Sequence, residues 1–137
     1  EMSVKSFYSN VKGNALILGN GGSSQAVQYV LKQNQIPFKV VSRSETLNYE
    51  TIHANHVHDS QLIINTTPIG MSPLIDASPD IPYEAIGSKH YVFDLVYNPE
   101  ETVFLRQARL SGAKTKNGLE MLHLQAEKSW EIWNERA

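Results

Sequence analysis

The chain has 137 residues, enough for one well-buried core and too short for two ordinary domains. With 41% hydrophobic and 19% charged residues it has the composition of a globular protein and not of a disordered one. Lys and Arg number 12 against 14 Asp and Glu, a formal charge of −2, which leaves no cationic excess for a nucleic-acid backbone or an anionic membrane.

The start, Glu1-Met2-Ser3-Val4-Lys5, lacks the basic-then-apolar profile of a signal peptide, and residues 1–12 read as a linker or an artificial beginning. Asn14-Ala15-Leu16-Ile17-Leu18 is a short apolar run that stops at Gly19, as expected of a strand buried on both faces of a parallel sheet. From Ser23 the apolar positions Ala26, Val27, Val30 and Leu31 recur at helical spacing and fade near Asn34, before Pro37. Phe38-Lys39-Val40-Val41 is a second strand, and the polar stretch after it holds a short helix expected over residues 49–54.

Leu62-Ile63-Ile64 is a third buried strand, followed by a loop from Asn65 to about Pro82, where Pro and Gly interrupt both periods. Tyr91 to Val96 reads as a fourth strand, with Pro99 placed near the start of a helix carrying Val103, Leu105, Ala108 and Leu110. Gly112 ends that helix, Ala113-Lys114-Thr115 is a brief strand, and residues 119–134 look like a long final helix. Strands alternating with helices predict an α/β chain: a doubly wound, mainly parallel sheet with flanking helices. The domain is expected over residues 13–117, with the last helix in 118–137. That helix is apolar over much of its circumference, so it needs cover from another domain or from a second copy.

The strongest chemical signal is Gly19-Asn20-Gly21-Gly22-Ser23-Ser24, set between a buried strand and a helix. The first glycine permits the turn, the next lets backbone approach a pyrophosphate, and the helix start supplies amides and a dipole for its charge. Ser24 replaces the third glycine of the dinucleotide fingerprint but is small enough for close packing. At the end of the second strand such folds choose their cofactor, and Ser42-Arg43-Ser44 offers a forked guanidinium between two hydroxyls, which suits a 2′-phosphate. Arg43 can equally be a solvated surface residue.

Asn65-Thr66-Thr67-Pro68 lies at the carboxyl end of the third strand, where it either lines a ligand's path or caps its own backbone as a turn. His53, His56 and His58 sit in a polar stretch with no cysteine in the chain, so metal binding is disfavoured. The absence of cysteine also fits a cytoplasmic protein.

In order, Gly19-Asn20-Gly21-Gly22, Ser42-Arg43-Ser44, the segment from Ile64 to Met71, Asp94-Leu95-Val96-Tyr97-Asn98-Pro99, and the segment from Gly118 to Gln125 resemble the cofactor-binding half of shikimate dehydrogenases. The resemblance implies a Rossmann-type fold and NADP-linked reduction of 3-dehydroshikimate to shikimate. It implies that Gly19, Gly21 and Gly22 face the pyrophosphate and that Arg43 contacts the 2′-phosphate, with Asn20, Ser23, Ser42 and Ser44 also among the cofactor-binding residues. Asn65 and Thr66 would lie near the ribose or nicotinamide and Met71 beside the nicotinamide pocket, with Thr67, Gly118 and Met121 also cofactor-binding, while Tyr97 and Gln125 would reach shikimate.

Two features depart from the family. Ser42 stands where an Asn is usual, with Glu45 and no second basic residue following it, so NAD remains a weaker alternative to NADP. The family's substrate domain, with its catalytic Lys and Asp, has no counterpart here, so no catalytic residue is assigned and the fragment is expected to be inactive and to self-associate through its last helix. A quinate-active relative and a non-catalytic nucleotide-binding module are the competing readings.

Overall fold

The structure is a computed structural model and describes residues 13–119. Five strands form one parallel sheet: β1 Asn14–Leu18, β2 Phe38–Val41, β3 Ser60–Asn65, β4 Tyr91–Asp94 and β5 Lys114–Lys116, in the spatial order β2-β1-β3-β4-β5. Helix α1 spans Gly22–Gln33, α2 Ala54–His58 and α3 Val103–Leu110, with a turn of 3-10 helix at Tyr83–Ala85.

Side-chain alternation along the strands splits the core in two. Ala15, Ile17, Leu62, Ile64 and Phe93 point to the face covered by α1 through Val27 and Leu31. Leu16, Leu18, Ile63 and Val92 point to the other face, where Val57 of α2 and Phe104, Leu105 and Ala108 of α3 cover them. Helices on both faces explain why β1, β3 and β4 read as nearly continuous apolar runs and not as alternating ones.

The first two strands fall at their expected positions, and the expected doubly wound sheet is the one observed. The short helix expected over residues 49–54 is displaced to Ala54–His58. Asn48 is the physical reason: its Oδ1 accepts from the amides of Glu50 at 2.9 Å and Thr51 at 3.0 Å, so this segment closes as a side-chain-capped turn. Pro99 lies outside α3, which begins after Thr102. The Thr102 hydroxyl accepts from the Leu105 amide and caps the helix there. The expected final helix, with Met121 and Gln125, and the self-association assigned to it lie outside the described residues. Among the described residues, no helix is long and apolar enough to cross a membrane.

Candidate functional site

The order of the strands creates the site. The chain leaves β1 for β2 on one side and returns to β3 on the other, so the loops after β1 and β3 diverge at their carboxyl ends, where open α/β sheets bind ligands. The loop after β1 turns at Gly19, whose φ of +108° excludes ordinary side chains. A Cβ there would also lie 2.6 Å from Thr66 Oγ1. The amide and hydroxyl of Thr66 both donate to the Leu18 carbonyl, at 2.9 and 2.7 Å, so the β3 loop is stitched directly to the end of β1.

Beyond Gly19 the chain opens outward. Gly21 and Gly22 are exposed, and a Cβ on either would meet nothing within 4 Å, which leaves the backbone approachable. Gly21 is the N-cap of α1, makes no side-chain capping bond, and is followed by a first turn without an acidic residue. Uncapped amides and an unopposed dipole at a helix start favour an anion. Ser24 is buried at the position of the third glycine, and its hydroxyl accepts from Gln28 at 3.0 Å.

A cavity of about 910 Å³ opens beside this loop, walled by Gly19 and Asn20, by Ser42, Arg43, Ser44, Asn48 and Tyr49 after β2, and by Thr67, Pro68 and Ile69 after β3. Ser42 to Glu45 closes as a tight turn, the Glu45 amide donating to the Ser42 carbonyl at 3.2 Å, which throws Arg43 and Ser44 outward. Ser42 is buried, with its hydroxyl 3.2 Å from that of Ser44. Tyr49 is half-buried; burial raises its phenol above the usual value, offset in part by the nearby charge of Arg43. Asn48 and Tyr49 were not singled out by sequence reasoning as wall residues, because the turn that brings them back to Arg43 is set by side-chain hydrogen bonds and not by periodicity.

Asn65 belongs to the interior. Its Nδ2 donates to the Ile69 carbonyl and to Asp94 Oδ1, both at 3.2 Å, and its Oδ1 accepts from the Thr67 amide at 3.1 Å and the Thr67 hydroxyl at 2.7 Å. Of the two readings of this segment, the structure gives Asn65 the turn-forming one, and Thr67 is the member of the segment that reaches the cavity with Pro68. Asp94, fully buried at the end of β4, also accepts from the Val96 amide at 3.0 Å and from the Thr102 hydroxyl at 2.7 Å. Burial pushes its carboxyl up to about 6, against the opposing pull of the Thr102, Val96 and Asn65 hydrogen bonds. Asp94 thus ties the loops after β3 and β4 to the start of α3.

Met71 and Tyr97 are exposed on those loops, outside the cavity wall. Gly118 is buried where β5 ends beside β4, and a Cβ there would collide with the Leu95 carbonyl, so its observed role is close packing. The histidines are engaged locally: His56 Nδ1 accepts from the His53 amide at 2.9 Å, and His58 lies against Asp59 and Lys89.

No family model matches the chain. It is 40% identical over 140 residues to the NADP(+) shikimate dehydrogenase of Methanococcus maripaludis, an alignment covering 90% of this chain and 50% of that protein. The fold superposes on a chorismate mutase/shikimate 5-dehydrogenase fusion protein from Clostridium acetobutylicum with a TM-score of 0.80 at 35% identity, covering 98% of this chain and 53% of that one. Over nearly its whole length the chain is similar to one half of shikimate dehydrogenases.

It also superposes on the Thermus thermophilus shikimate dehydrogenase solved with NADP(H) and shikimate, with a TM-score of 0.79 at 28% identity over 96% of this chain and 54% of that one. The chain spans about half the length of the curated shikimate dehydrogenases it matches.

Proposed function

We propose that this chain binds NADP(H) and forms the nucleotide-binding half of an enzyme that interconverts 3-dehydroshikimate and shikimate. The observation that carries the reading is the cavity at the β1/β3 divergence, walled by Arg43 and by Gly19 and Asn20 of the loop that leads into an uncapped helix start. A ligand with two separated anionic groups, a pyrophosphate and a 2′-phosphate, needs two such sites, and the relatives named above include one solved with NADP(H). The open backbone at Gly21 and Gly22 fits a pyrophosphate, and the Ser42-Arg43-Ser44 turn fits a 2′-phosphate.

When bound, the nicotinamide supplies the hydride of the redox step. The residues of this chain bind and orient. Gly19 to Ser23 hold the pyrophosphate through backbone amides, and Arg43, Ser42 and Ser44 grip the adenosine end. Thr66 and Thr67 flank the path of the ribose, and Asn65 positions the loop that carries them. Tyr97 and Met71, exposed on the loops after β3 and β4, are assigned to the nicotinamide and substrate side. No lysine lines the cavity among the described residues, and the proton-transfer group of the reaction is assigned to residues outside this chain.

Calorimetric titration with NADPH and NADH tests the reading. Arg43→Ala is expected to weaken NADPH by about tenfold or more while changing NADH by less than about twofold, since only the former loses a charge-assisted phosphate contact. Equal loss for both nucleotides, or none, would remove the 2′-phosphate assignment.

A further inference from the structure

Beside the cavity, at Asn20 of its wall, runs a chain of hydrogen bonds that the nucleotide-binding reading does not use. Glu45 Oε1 accepts from Asn20 Nδ2 at 2.9 Å, and Asn20 Oδ1 accepts from Gln25 Nε2 at 3.0 Å. A carboxylate on the turn after β2 is therefore tethered to the glycine-rich loop after β1, and Asn20 is itself part of the cavity wall. Glu45 sits two residues from Arg43 on the same tight turn, whose closing bond runs from the Glu45 amide to the Ser42 carbonyl. An anion docked on Arg43 and Ser44 thus lies well within a Debye length, about 10 Å at ordinary ionic strength, of the Glu45 charge. The Asn20 hydrogen bond directs that carboxylate toward the glycine-rich loop.

We propose that Glu45, hydrogen-bonded to Asn20, is a specificity-determining residue that lowers the preference of this site for 2′-phosphorylated nucleotides. The proposal rests on the nucleotide-binding reading above. Its two parts act in the same direction. Toward a 2′-phosphate the carboxylate is repulsive and offsets much of what Arg43 contributes. Toward an unphosphorylated adenosine ribose it is an acceptor for hydroxyl donors at the end of the second strand, where acidic residues of dinucleotide-binding folds hold the ribose. The site therefore accepts NADH far better than Arg43 alone would allow.

Glu45→Gln preserves an oxygen acceptor for Asn20 and removes only the charge, and the residue is exposed, so the fold is retained. Wild-type and variant proteins are titrated at low ionic strength with NADPH and NADH, and separately with adenosine 2′,5′-bisphosphate and 5′-AMP. In both pairs the ratio of affinities is expected to move about fivefold or more toward the 2′-phosphorylated member. A ratio within about twofold of wild type, in a wild-type protein that binds the nucleotides, overturns the role of Glu45 and leaves the site standing. A wild-type protein that binds none of the four overturns the site and this proposal with it.

Discussion

At Asp94 one buried carboxylate carries three hydrogen bonds and still titrates upward, to about 6 from an ordinary value of 3.8, because desolvation outweighs its donors. The folded-state value is the higher one, so the native protein holds a proton that the unfolded chain has released. The corresponding stability is fully present below pH 4 and is lost as pH rises through about 6. The shift is roughly two units, so the loss is on the order of 3 kcal/mol. Asp94→Asn keeps the shape and can still bond Val96 and Thr102, and urea unfolding from pH 4 to 8 is expected to show this decline in the wild type and not in the variant. A decline of equal size in both would assign it to other groups.

Arg43 and the glycines of the turn were legible in the sequence because local spacing alone places them at strand ends. The partnerships of Asp94 with Asn65 and Thr102, and of Glu45 with Asn20, were not. The Asn65/Asp94 and Asn20/Glu45 pairs lie 29 and 25 positions apart and meet only through strand pairing, while Asp94 and Thr102 meet because the loop after β4 folds back on the strand end.

Among the elements, β1 and β2 could be read to the residue, since a short apolar run stopped by Gly19 or by the Ser42 turn has little freedom at its end. Helix α2 could not, because Asn48 offers the backbone an alternative to helix that periodicity does not register. Helix α3 shows the same principle from the other side: its start is set by one hydroxyl, that of Thr102, and not by Pro99. Thr102 accepts from the Leu105 amide at 3.2 Å while donating to Asp94 at 2.7 Å, and it is fully buried. Thr102→Ala removes a cap and orphans a buried carboxylate oxygen, for an expected loss of about 2 kcal/mol in chemical denaturation. Thr102→Ser retains both bonds and should recover most of it. A serine variant no better than alanine would point to methyl packing against Gly70, whose Cβ position lies 3.1 Å from Thr102 Cγ2.

At the scale of the molecule, a parallel sheet whose order reverses between β1 and β3 builds one crevice, and the chain concentrates its chemistry there: glycine-rich turn, uncapped helix, Arg43 and the Glu45 tether on adjoining loops. The alternation of elements made the sheet legible in the sequence, and the motifs made the resemblance to shikimate dehydrogenases legible. The balance of charge around the crevice was not, because it depends on which side chains the loops turn inward. Backbone amide chemical shifts recorded during titration with NADP+ report whether a nicotinamide dinucleotide seats in this crevice. Saturable shifts are expected at Gly19 to Ser24 and Ser42 to Ser44, with the α3 amides unmoved. Saturable shifts centred elsewhere, or none at nucleotide concentrations in the millimolar range, would contradict a nucleotide seated there.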